Sequence, residues 1–109
     1  MYGSLSMHSY LYCSVSSDDK ILVFDMDKIT GTLKQTQVVV VPGSPAPLTV
    51  HPLKQSLYVG QRGNNQISSF SINQATGHLT AMHSVGLNAD PCFIAIDRSG
   101  EFLLSAYYK

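Results

Sequence analysis

Two stretches of the chain, "LYCSVSSDDKILVFDMDKITGTL" from Leu11 and "LYVGQRGNNQISSFSINQATGHL" from Leu57, start 46 residues apart and share one template. Shifted by 46 residues, the sequence aligns with itself without a gap. Leu11 falls on Leu57, Tyr12 on Tyr58, Ile21 on Ile67 and Phe24 on Phe70. Thr30-Gly31 falls on Thr76-Gly77, Leu33 on Leu79, Val39 on Val85 and Pro45 on Pro91. A third copy opens at Leu103 and runs to Lys109. Turn residues recur with the apolar ones, so the period belongs to the backbone plan and not to a chance run of hydrophobics. A period of about 40–50 residues is the mark of a repeat architecture and suits the four-stranded blade of a β-propeller.

Within one period the texture is strand and turn. "PLTVHP", "SLYVGQ", "QISSFSI" and "HLTAMHSVG" are short runs bounded by Gly, Pro and polar residues, and the third is rich in β-branched and aromatic side chains. Nothing between them offers a ten-residue apolar stripe at helical spacing. The expected fold is all-β: strands near 47–52, 56–61, 67–72 and 79–85 in one antiparallel sheet, in that order from the channel outwards. Gly31 and Gly77 supply the positive φ of a tight hairpin between the third and fourth strands. Pro45 and Pro91 start inner strands, where a missing N–H does least harm to a ladder. The chain then divides into an N-terminal tail (1–9), a partial blade lacking its innermost strand (10–45), a complete blade (46–86) and the start of another (87–109). This is the expected N-terminal part of a longer propeller.

Composition narrows the partners. Seven basic and seven acidic residues among 109 cancel, which argues against nucleic acid or an anionic membrane surface. The longest aliphatic run, Val38 to Val41, is too short to span a bilayer, and the N-terminus has neither Lys nor Arg before a sustained apolar run. Cys13 and Cys92 lie far apart without a CxxC pair, so two reduced, packed thiols in a cytosolic protein are expected.

"YLYCSVSSDDKILVFDMDKITGTL", "LYVGQR", the recurring "TG.L" hairpin and "IDRSGEFLLSAYY" resemble the opening of the seven-bladed propeller lactonases. That family includes the 6-phosphogluconolactonases and the fungal carboxymuconate-lactonizing enzymes. The similarity covers nearly all of the chain after Ser9. It implies hydrolysis of 6-phosphoglucono-δ-lactone to 6-phosphogluconate, with no cofactor or metal. It also implies that the catalytic His, Arg and Glu come from later blades, so none is assigned to a residue of this chain. Two other readings stay open: a lactone-forming cyclase on the same fold, and a non-catalytic propeller that serves as a binding platform.

One wall of a site can be placed. Loops entering inner strands ("GSPAP", "NADPC") and loops leaving second strands ("QRGNN", "SAYYK") should open on one face, where ligands gather. Arg62 stands in the second group. A guanidinium at a channel mouth can grip a phosphate in bidentate fashion, or simply solvate a loop. Tyr107 and Tyr108 stand one period after Gln61 and Arg62, and Tyr107 is taken with Arg62 as a candidate substrate contact. His51 reads as a turn residue and His8 as part of the tail. His78 and His83, five apart on an outer strand, should point to opposite faces. Asp18-Asp19 and Asn64-Asn65 occupy equivalent turns. No GxSxG, Gly-rich phosphate loop or carboxylate cluster with ligand spacing occurs.

Overall fold

The computed structural model describes residues 8–51, 53, 55–87, 91–96 and 103–107. They form nine strands: β1 (His8–Val15), β2 (Lys20–Asp27), β3 (Leu33–Val40), β4 (Pro45–Val50), β5 (Ser56–Gln61), β6 (Gln66–Ile72), β7 (Leu79–Gly86), β8 (Pro91–Ile96) and β9 (Leu103–Tyr107). These make three antiparallel sheets in the orders β1-β2-β3, β4-β5-β6-β7 and β8-β9. The only helical element among the described residues is a 3-10 turn, Ser16–Asp18. No described helix is long and apolar enough to cross a membrane. The four-stranded sheet has the strand order expected from the period, with each strand within two residues of its expected bounds.

The sheets stack face to face. Ile21, Val23 and Val41 of the first meet Leu57, Val59, Phe70 and Leu79 of the second in one core, with Tyr12, Val39, Leu48 and Ile72 packed around them. Burying each such side chain contributes about 1.5–3 kcal/mol, so this seam is the main apolar stabilisation among the described residues. β8 packs beside β4.

Polar tethers cross the seam. The Tyr10 and Tyr12 hydroxyls each donate, at 2.7 Å, to the carbonyls of Ala75 and Gly77 in the turn before β7. The Gln37 side chain behaves like a peptide group: its amide donates to the Leu79 carbonyl at 3.0 Å and its oxygen accepts the Leu79 N–H at 2.7 Å. Ser14 Oγ donates to the Ala46 carbonyl at 2.8 Å, tying β1 to the neighbouring inner strand.

The two Thr-Gly hairpins are built alike. Gly31 and Gly77 both sit at φ 75°, and their N–H groups donate to the carbonyls of Asp27 and Asn73 at 2.7 Å. The Asp27 and Asn73 side-chain oxygens accept the N–H groups of Ile29 and Ala75 at 2.8 Å. Only Gly77 has a second constraint: a Cβ there would stand 2.4 Å from the Tyr10 ring, whereas Gly31 has open space around it.

Three expectations need correction. His8 is not in a tail: it begins β1, opposite Asp27, and its Nδ1 lies 2.6 Å from Asp25 Oδ1 on the neighbouring strand. Cys13 is exposed, not packed, because it lies on the face of the first sheet that carries no described partner sheet; Cys92 has a side chain outside the described residues. The strand spacing used to separate His78 from His83 also needs revision, since the two do not lie on one regular strand. His78 belongs to the turn before β7, and the ladder passes from Ser69–His83 to Phe70–Ala81, leaving Met82 as a bulge. A bulge resets which side chains share a face.

Candidate functional site

Two of the loops expected on one face, "GSPAP" and "QRGNN", meet, while "NADPC" and "SAYYK" fall partly outside the described residues. β5 ends at Gln61, and the chain leaving it runs along the loop that enters β4. Arg62 N–H donates to the Ser44 carbonyl at 3.3 Å, and Gly63 N–H donates to the Gly43 carbonyl at 2.8 Å. Gly43 is at φ 88°, and Asn64 lies so close that a Cβ on Gly43 would fall 2.5 Å from its Cγ. Glycine is required here on both counts. Ser44, at φ 55°, takes a left-handed conformation without that freedom, so the surrounding hydrogen bonds must hold it there.

Below this surface the loop rests on a buried amide. Gln61, only 5% exposed, donates through Nε2 to the Pro42 carbonyl at 2.8 Å and accepts a hydrogen bond from Ser68 Oγ. Ser68 Oγ lies 2.8 Å from Ser84 Oγ, extending the chain of polar groups to β7. No buried side-chain polar atom among the described residues lacks a partner. Nearer the inner strands, Gly60 is enclosed: a Cβ would stand 2.5 Å from Pro47 Cγ and 3.1 Å from Pro91 Cγ.

The turn Ser16–Asp19 of the first sheet reaches the same loop. Asp19, left-handed at φ 51°, accepts the Ser44 N–H on Oδ1 at 2.9 Å and the Val41 N–H on its carbonyl at 2.8 Å. One period later Asn65, also at φ 51°, accepts the Leu87 N–H on its carbonyl at 2.6 Å. The paired turn residues therefore do more than turn the chain: they hold the start of each following connection.

Arg62 is exposed at this loop cluster. Tyr107 ends β9 opposite Pro91; its side chain, like all of Tyr108, lies outside the described residues. His51 is a turn residue, its Nδ1 accepting the Leu53 N–H at 3.0 Å. No group of three or more His, Cys, Asp or Glu side chains among the described residues is placed to hold a metal ion. A groove of about 230 Å³ lies between the first two sheets, lined by Val40, Pro42, Gln61, Phe70 and Met82 among others. Its lining includes neither Arg62 nor Ser44.

Among the described residues, the Tyr12 phenol is displaced from its ordinary range. Burial pushes its phenol up to about 12, helped by the neighbouring Tyr10. The group is a structural tether, and its neutral form is the one that donates to Gly77.

Asp19 and Gln61 escaped the sequence reading. Asp19 was legible as a turn residue but not as a partner of Ser44, 25 positions away. Gln61 gave no signal, because a glutamine at a strand end is ordinarily solvated.

Stacked antiparallel sheets, the complete one running outward in chain order from an inner strand, define a section of a β-propeller. The chain belongs to the family described as Lactonase, 7-bladed beta-propeller, which it matches over residues 9–109. It is 33% identical over 103 residues to the 6-phosphogluconolactonase of Blochmanniella pennsylvanica, covering 94% of this chain and 30% of that protein. It is 36% identical over 103 residues to that of Yersinia enterocolitica, with the same coverage of 94% and 30%. The chain thus spans about 30% of the length of the curated relatives it matches. Among solved structures, a Bacteroides uniformis protein superposes with a TM-score of 0.81 at 24% identity, over 88% of this chain and 29% of that one. The Pseudomonas aeruginosa periplasmic gluconolactonase gives 0.77 at 23% identity, over 97% and 31%.

Proposed function

We propose that this chain is the N-terminal section of a propeller that hydrolyses 6-phosphoglucono-δ-lactone to 6-phosphogluconate, and that it supplies one wall of the site. The observation that carries the reading is the match to the lactonase family over residues 9–109, together with relatives named for this reaction. Lactone hydrolysis needs a positioned proton carrier for water and the ring oxygen, and donors for the developing oxyanion. In this reading those groups come from other blades, and Arg62 meets the phosphate with Tyr107 beside it. A cytosolic setting belongs to the proposal, because a phosphorylated sugar does not cross a bilayer unaided.

The test is kinetic. The full-length polypeptide should hydrolyse the phosphorylated lactone in preference to unphosphorylated gluconolactone, while the 109-residue chain alone should not exceed buffer. Turnover by the short chain that survives repurification would place the chemistry here after all. If Arg62 grips the phosphate, Arg62→Ala in the full-length enzyme raises KM with little change in kcat. A charge-assisted hydrogen bond contributes about 1.5–3 kcal/mol, or roughly a 10- to 150-fold loss in kcat/KM. Arg62→Lys should recover part of it, since an ammonium lacks the two-pronged geometry.

A further inference from the structure

We propose that Asp19, on the neighbouring blade, is a positioning residue for Arg62. The inference rests on the reading that Arg62 meets the substrate's anionic group. Three residues stand in series across the seam. The Asp19 carboxylate accepts the Ser44 N–H at 2.9 Å, and the Ser44 carbonyl accepts the Arg62 N–H at 3.3 Å. Ser44 is thus held from both sides, on its N–H by one sheet and on its carbonyl by the next.

That double hold has a reason. A serine at φ 55° occupies sparsely populated backbone space and stays there only where its surroundings overdetermine it. The Gly43 carbonyl is engaged by Gly63 and the Pro42 carbonyl by Gln61, but each of those bonds comes from the same side, the exit of β5. The Asp19 carboxylate comes to the loop's Ser44 N–H from the other sheet and carries a charge, which makes its hydrogen bond the stronger kind. Its own turn does not need that carboxylate: the turn closes through the Asp19 N–H on the Ser16 carbonyl at 3.4 Å. The side chain is therefore free to act on the neighbouring blade. Without it, Ser44 is no longer held at its left-handed φ, the following peptide whose carbonyl holds the Arg62 backbone swings away, and the guanidinium loses its fixed origin.

The test uses the full-length enzyme with Asp19→Gly, Asp19→Asn, Arg62→Ala and the double variant Asp19→Gly/Arg62→Ala. Glycine removes the carboxylate without straining a left-handed residue, and asparagine keeps an acceptor oxygen in place. Asp19→Gly should raise KM for the phosphorylated lactone about tenfold with kcat kept, the effect of losing one charge-assisted hydrogen bond. Asp19→Asn should stay within about twofold of wild type, because the acceptor remains. The double variant should be no worse than Arg62→Ala, because Asp19 acts through Arg62. Amide exchange at Ser44 should quicken in Asp19→Gly and not in Asp19→Asn. Should the glycine variant fail to fold, Asp19→Ser, whose shorter side chain falls out of reach, carries the same expectations. Unchanged KM in Asp19→Gly beside a raised KM in Arg62→Ala overturns the positioning role alone. Unchanged KM in Arg62→Ala overturns the role of Arg62 and this inference with it. A double variant clearly worse than Arg62→Ala shows that Asp19 acts by another route.

Discussion

Leu11 and Leu57 are the same residue at the same point of the same kind of strand, one period apart, yet Leu11 is 42% exposed and Leu57 is fully buried. Their cross-strand partners match as well, Phe24 for one and Phe70 for the other. The next inward-facing pair tells the same story: Cys13 is exposed while Val59 is fully buried. The difference is the neighbour. The face bearing Leu57, Val59 and Phe70 stacks on the first sheet, whereas the face bearing Leu11, Cys13 and Phe24 has no described sheet against it. Burial in such a fold is a property of the stack and not of the strand.

The largest test of that comparison is truncation. In this chain Leu57→Ala should cost about 2–5 kcal/mol, the range for emptying a tight core site, and Leu11→Ala less than about 1 kcal/mol. Denaturant titration of both variants measures the gap. Equal losses would mean that the two faces are equally covered in solution.

The hairpin glycines sharpen the comparison at a smaller scale. Gly31→Ala strains a positive φ and should cost about 1 kcal/mol. Gly77→Ala adds a collision with the Tyr10 ring and should cost about 2–4 kcal/mol, since overpacking a seated side chain is penalised in its own right. A Gly77→Ala/Tyr10→Ala double variant should bring the two sites close together again. If it does not, the ring is not the cause.

Tyr12→Phe should cost about 1 kcal/mol near neutrality, for one lost hydrogen bond to Gly77. Its pH dependence is more telling. The folded phenol is raised to about 12 from 10.0, so folding favours the protonated form. That contribution is whole below pH 10 and is lost as pH climbs through about 12, because the unfolded chain releases its proton first. Stability measured from pH 8 to 12 should fall less steeply in Tyr12→Phe than in the wild type. The smallest effect belongs to Arg62→Ala, which should change stability by less than about 0.5 kcal/mol, as for other exposed loop positions.

The period made much of this fold legible. Thr30-Gly31 and Thr76-Gly77 marked their hairpins, Pro45 and Pro91 marked the inner strands, and both signals are local: each needs only the backbone geometry of its own turn. The features that escaped are those that cross a seam. Tyr10 and Tyr12 reach carbonyls 65 residues on, and Gln37 completes the edge of a strand 42 residues on. Such pairs depend on how far one sheet slides over the next, and no residue type announces that offset. The candidate site divides the same way. Arg62 could be found as a cation in a mouth loop, while Asp19, which holds that loop, looked like any other turn aspartate.

Gly60 sits against two inner prolines, Pro47 of its own sheet and Pro91 of the next. Its missing side chain therefore acts as a gauge of curvature. A methyl group there would push the inner ends of adjacent blades apart while leaving their outer rims alone. The wedge between blades would become shallower, and a ring built from shallower wedges needs more of them to close around a wider central bore.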